Sequence, residues 1–134
     1  MIIDATDLIV GRLASVVAKE ALLGKTIDIV NCENAVVSGN PKAVIERLQK
    51  RANFGGPHHG VFHPTKSDRY VKRVIRNMLP WRAYKGRGAL KRIKCYLGVP
   101  EEFEGKKFDT IKEADKSKLP SQKSIKVSTA LLQI

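Results

Sequence analysis

A chain of 134 residues is about the size of one domain, and its 25 Lys and Arg against 13 Asp and Glu leave a net charge of +12, which a neutral metabolic enzyme has no use for. Although 43% of the residues are hydrophobic, no run approaches the roughly 20 apolar residues that span a bilayer. The opening Met1-Ile2-Ile3-Asp4-Ala5 lacks the basic and apolar regions of a signal peptide, so a cytoplasmic protein is expected.

The first elements read as strand, helix, strand. Met1 to Thr6 is short and apolar, and the run from Gly11 to Leu23 places Leu13, Val16 and Val17 on one helical face, with Ala21 a turn further on. Gly24 stands where a left-handed residue ends a helix. Thr26 to Cys32 is rich in β-branched residues and follows a two-residue turn, which predicts a β-α-β unit with parallel strands and a right-handed crossover. Asn34 to Ser38 could add another short strand. Pro41 opens a second helix with Val44, Ile45, Leu48 and Ala52 as its apolar stripe, leaving Arg47, Lys50 and Arg51 mainly outside it.

Three glycines and two prolines between Phe54 and Pro64 predict an extended loop. Ser67 or Asp68 is then the expected cap of a third helix, whose apolar residues Tyr70, Val71, Val74, Ile75, Met78 and Leu79 repeat at helical spacing up to Pro80. Arg69, Lys72, Arg73 and Arg76 occupy its other side, four cations on about 11 Å of helix axis. Trp81 to Gly88 reads as turn-rich, Ile93 to Leu97 as a strand, and Glu101 to Ser124 as a polar stretch that wraps the domain or a partner. The expectation is one domain over residues 1–134, with about 101–134 as a peripheral extension. Ile125 to Val127 could be a short strand, and Ser128 to Gln133 a short helix.

Charge is distributed unevenly along this order. Lys42 to Lys94 contains 15 Lys and Arg and only two acids, Glu46 and Asp68, a local excess of +13, while the rest of the chain sums to −1. A field so one-sided calls for a polyanionic partner, nucleic acid first and an anionic membrane second. An idle solvated face usually alternates signs and is laced with i,i+4 pairs, but here almost no carboxylates are available. The third helix and the segment Lys85-Gly86-Arg87-Gly88-Ala89-Leu90-Lys91-Arg92 therefore point to phosphate binding, with Gly86 and Gly88 allowing close backbone approach and Arg87 a two-point hydrogen bond. His58, His59, Phe54, Phe62 and Lys66 suit an arm lying in RNA. Trp81 and Tyr84, beside Arg82 and Lys85, could stack on unpaired bases, although core packing serves each aromatic equally well.

Other chemistries find little support. The turn after the first strand lacks G-x-G-x-x-G and P-loop spacing, and neither G-x-S-x-G nor H-E-x-x-H occurs. The histidines fit no zinc spacing. Cys32 and Cys95 exclude a disulfide framework. Two reduced core thiols are the plain expectation, and a structural disulfide of the kind found in some hyperthermophile proteins is the alternative. No catalytic residue, metal or cofactor is expected.

Four ordered segments carry a family resemblance: Gly11-Arg12-Leu13-Ala14-Ser15, the run Val30 to Gly39, Met78-Leu79-Pro80, and Lys85 to Arg92. From Met1 to about Phe103 the chain resembles the universal large-subunit ribosomal protein family L13 in its archaeal form. The resemblance implies a three-layer α/β/α domain around a four-stranded, mainly parallel sheet, with extended RNA-binding loops. It also implies binding to large-subunit ribosomal RNA beside neighbouring ribosomal proteins, a role in subunit assembly, and no enzymatic turnover. Its RNA contacts carry over to the Arg73 and Arg76 helix face and to Lys85 to Arg92. Asn77 stands where the family often has glycine, and the tail after Phe103 matches poorly. The alternatives are a free nucleic-acid-binding regulator and a nucleic-acid-processing enzyme.

Overall fold

In a computed structural model of the chain, which describes residues 1–56, 58–60, 62–121 and 123–134, the apolar opening forms β1 (Ile2–Asp4). The helix α1 (Val10–Leu22) and strand β2 (Ile27–Val30) follow, as the β-branched and helical patterns predict. Helix α1 ends at Leu23, where Gly24 takes φ +98°. The Gly24 amide then bonds the Ala21 carbonyl (3.1 Å) and the Lys25 amide the Glu20 carbonyl (3.2 Å), a Schellman closure that satisfies carbonyls the helix leaves open. β1 and β2 pair in parallel, Ile3 opposite Ile29, and β2 pairs in parallel with β4 (Ile93–Cys95), Ile29 opposite Cys95. The strand order β1-β2-β4 puts β2 at the centre, with Ile27, Ile29 and Val30 fully buried. Removing each such side chain from water stabilises the fold by about 1.5–3 kcal/mol.

The expected fourth parallel strand is not part of this sheet. Asn31 sits in the left-handed region (φ +55°), and a 3₁₀ turn over Cys32–Asn34 redirects the chain. β3 (Val36–Ser38) then pairs antiparallel with β5 (Ser124–Lys126) as a separate two-stranded ribbon. The apolar run 34–38 announces a strand but not its partner, which lies almost ninety positions away.

Three helices supply the layer over the basic half of the chain. These are α2 (Pro41–Ala52), α3 (Ser67–Met78) and α4 (Tyr84–Lys91). α3 packs on α1, and Val71, Ile75 and Leu79 are buried as its periodicity requires, whereas Met78 is exposed. Ser67 and Asp68 lie inside α3 instead of capping it, since Lys66 holds the cap position. α4 corrects the turn-rich reading of Trp81 to Gly88. Two glycines disguise a helix whose buried side is Gly86 and Ala89. Gly86 is required by close packing, because a Cβ there would meet the Pro80 carbonyl oxygen at 2.1 Å.

The tail is less peripheral than its polar composition suggests. The Asp109 amide donates to the Ile2 carbonyl (2.8 Å) and the Asp109 carbonyl accepts from the Asp4 amide (3.2 Å), covering the free edge of β1. Ala114, together with Val127 and Leu131 of α5 (Val127–Leu131), enters the main core. None of the described helices is long and apolar enough to cross a membrane. Cys32, buried, and Cys95, half-buried, are both free thiols.

At the end of β1 the Asp4 carboxylate accepts from the Thr6 backbone amide (3.0 Å), the Thr6 hydroxyl (2.7 Å) and the Asn31 side-chain Nδ2 (3.0 Å). Burial works to raise its pKa, but these hydrogen bonds outweigh it and hold the group below the usual 3.8. A lowered folded pKa adds stability above the unfolded value that is lost as pH falls through the folded one. Asp4→Asn is expected to lower stability at neutral pH and to flatten the acid limb of unfolding free energy against pH below about 4. Gly86→Ala should lower stability by about 1–3 kcal/mol in urea denaturation. Gly88→Ala, with nothing within 4 Å of its Cβ, should be neutral or add up to about 1 kcal/mol.

Candidate nucleic-acid interface

Each of the three basic helices uses one side for the core and the other for cations. In α2, Asn40 caps the first turn by accepting from the Lys42 amide (3.2 Å), and Pro41 starts the helix. Val44 and Leu48 are buried with Ile125 and Ala130 in a satellite core. Arg47, Lys50 and Arg51 are left exposed. Lys50 pairs with Glu46 at 3.0 Å, and among the described residues this is the one carboxylate ion pair that the segment 42–94 makes. Exposed pairs of this kind contribute about 0–1 kcal/mol, so the field of the segment stays essentially uncompensated.

The cations of α2 and α3 converge. Arg51 lines one narrow hollow together with Tyr70, Arg73 and Asn77 of α3, and while burial pushes the Tyr70 phenol up, the guanidiniums of Arg47 and Arg51 pull it the other way. Along α3, Arg69 is exposed and Lys72, Arg73 and Arg76 are half-buried. Arg73 donates to the Phe62 carbonyl (3.3 Å) and so tethers the loop to the helix. Arg76 lies over the Trp81 ring at 4.8 Å and Arg82 lies over it at 5.6 Å. Trp81 therefore orients two arginines, each interaction contributing about 0.5–2 kcal/mol, and its ring is engaged within the protein. Tyr84 is 88% exposed and keeps a free face.

In α4, Lys85, Arg87 and Lys91 are exposed. Arg92, just past the helix, donates to the Ala21 carbonyl at 3.3 Å. That carbonyl belongs to the last turn of α1, where the helix dipole favours a cation. Arg92 thus has a structural bond alongside its predicted RNA role. The backbone approach expected of Gly86 is directed inward onto Pro80, which leaves Gly88 as the open glycine of the pair.

The loop after α2 has no helix or strand among its described residues, and its Pro57 and Val61 lie outside them. His58, His59 and Lys66 are exposed, as are Phe54 and Phe62. His63, which charge counting did not single out, lines a cleft beside Arg51 and Phe54. Its place after Phe62 in the Gly- and Pro-rich run was the available signal. Among the described residues no cluster of three or more His, Cys, Asp or Glu comes together to hold a metal.

The family model of Ribosomal protein L13 matches residues 1–102. The chain belongs to the ribosomal protein L13 family. Among relatives named large ribosomal subunit protein uL13, the one from Methanococcoides burtonii is 38% identical over 133 residues, covering 99% of this chain and 96% of its own. The uL13 of Archaeoglobus fulgidus is 41% identical over 113 residues, 84% of this chain and 72% of the relative. That of Haloarcula marismortui is 41% identical over 109 residues, 81% and 74% respectively. The L13 match takes in α2, α3 and α4 and ends before Asp109, the tail residue that lines β1.

Exposed cations and internally bonded ones should respond differently to substitution. Replacing Arg69, Lys85, Arg87 and Lys91 by alanine is expected to leave the unfolding midpoint nearly unchanged. It should also flatten the dependence of log affinity for RNA on log salt, by up to about 0.7–0.9 for each phosphate that is no longer neutralised. Arg92→Ala should lower the unfolding midpoint. An unaltered salt slope in the fourfold variant would show that these side chains do not touch phosphate.

Proposed function

We propose that this L13-family chain is a structural constituent of the large ribosomal subunit that binds large-subunit ribosomal RNA and supports subunit assembly without catalysing a reaction. The observation that carries this reading is the basic surface. α2, α3 and α4 each bury an apolar side, and their outer sides hold cations with almost no carboxylate to neutralise them. Membership of the family and the names of its relatives support the assignment to the large subunit.

The physics of the partner fits. A-form RNA has a major groove too deep and narrow for side chains to read, so proteins recognise its backbone shape and its unpaired bases. Arg and Lys at fixed spacing neutralise phosphates where RNA helices converge, and the folded core sets that spacing. In this reading the RNA is held by Arg47 and Arg51 on α2, by Arg69, Lys72, Arg73 and Arg76 on α3, and by Arg82 with Lys85, Arg87, Lys91 and Arg92 around α4. Lys50, His58, His59 and Lys66 add to it from the margin and the loop. Neighbouring large-subunit proteins are the other partners, and the site of action is the cytoplasmic ribosome. The reading needs no cofactor, metal, membrane or small-molecule substrate.

Sedimentation of cell extract on a sucrose gradient at high salt, following the chain by antibody, tests the assignment. Near-stoichiometric migration with the large subunit is the expected result. Recovery solely in the light fractions would overturn it in favour of a free nucleic-acid-binding regulator.

A further inference from the structure

Beside the exposed side of α2 lies an open cleft of about 620 Å³, lined by Ala43, Glu46, Arg47, Lys50, Arg51, Phe54 and His63. Its size falls within the roughly 300–1,000 Å³ of clefts that hold small organic groups. The lining joins two chemistries. Phe54, 77% exposed, supplies an aromatic face, and the methylene stems of the basic residues extend the apolar surface. Three cations border it against one carboxylate, Glu46, which Lys50 already holds at 3.0 Å.

An occupant that satisfies both must be flat and apolar on its faces and anionic at its edge. A purely apolar peptide leaves Arg47 and Arg51 without a counter-charge, and a basic tail from a neighbouring protein is repelled. A paired base inside an A-form helix cannot present its face, but an unpaired nucleotide can, with a phosphate on either side of it. The surroundings extend the fit. Arg51 and His63 also border a narrower hollow of about 150 Å³ that reaches Tyr70, Arg73 and Asn77. A strand leaving the cleft on this side runs toward Arg73 of α3.

We propose that this cleft seats one unpaired nucleotide of the bound RNA, its base stacked on Phe54, its flanking phosphates held by Arg47 and Arg51, and its base edge within reach of His63. The proposal rests on the RNA-binding reading above. It adds a site that recognises a single-stranded nucleotide to a surface that otherwise reads backbone charge.

The test compares the full-length chain with Phe54→Ala and Phe54→Tyr in titrations against large-subunit ribosomal RNA, using Arg69→Ala as the reference for phosphate binding. Phe54→Ala is expected to weaken binding about fivefold or more, the lower end of what removal of one stacked base costs. Phe54→Tyr should restore it, and the salt slope should stay unchanged because every cation is kept. Because Phe54 is exposed, the thermal midpoint of each variant should match that of the parent chain. Binding by Phe54→Ala equal to the parent, with Arg69→Ala still weakened, would overturn the cleft and leave the RNA reading intact. Failure of the parent to bind this RNA would overturn both. As a second measurement, p-benzoylphenylalanine at position 54 of the chain assembled into large subunits should give a photo-adduct on an unpaired RNA nucleotide. An adduct on a neighbouring protein, or none, would overturn the proposal.

Discussion

Fifteen cations with two acids among them cannot be folded inward, because a buried charge without a partner costs several kcal/mol. The same segment must nevertheless supply a wall of the core, since Val71, Ile75, Leu79, Ala89 and Ile93 are all buried in it. Amphipathic helices reconcile the two demands. A period of 3.6 residues lets α3 and α4 turn their aliphatic sides to α1 and β4, and α2 its own to β5 and α5, while their cations stay toward the surface. The arrangement of α2, α3 and α4, and the surface they form, follow from that constraint.

Several arginines do more than carry charge. Arg73 ties the loop carbonyl of Phe62, Arg92 ties the end of α1, and Arg76 and Arg82 share the Trp81 ring. Each bond fixes a guanidinium in place and leaves donors over, since a guanidinium has five N–H groups in a rigid fork. Cations held in this way would lose less side-chain freedom on meeting a phosphate than free lysines would. The internal bonds of these residues are therefore compatible with the phosphate contacts proposed for them, and a substitution such as Arg92→Ala removes a structural bond as well as a proposed contact.

The tail explains how a short sheet manages its edges. β1 would present unpaired amides and carbonyls, but Asp109 bonds alongside it, and further on the Ala114 carbonyl accepts from the amide of Ile9, the residue that precedes α1, at 2.7 Å. β3, turned away after Asn31, finds β5 instead. The resulting ribbon supports α2 through the satellite core of Val44, Leu48, Ile125 and Ala130, so residues near the C-terminus help to position the arginines of α2.

Local pattern by itself determined the elements that depend on neighbours in the chain. The β-α-β opening, the Gly24 helix end, the amphipathic α3 and the concentration of charge between Lys42 and Lys94 all rest on spacings of a few residues, and all are present in the fold. The family could also be read from ordered motifs, and the family model agrees. Only the tertiary structure decided what depends on partners distant in sequence. It showed that β3 joins β5 and not the parallel sheet, that Gly86 hides a helix packed on Pro80, and that the polar tail closes β1. It also showed which arginines form internal bonds, and set His63 beside Phe54 and Arg51. Periodicity records which side of an element is apolar, whereas pairing and proximity are set by which distant surfaces close together with their polar groups satisfied.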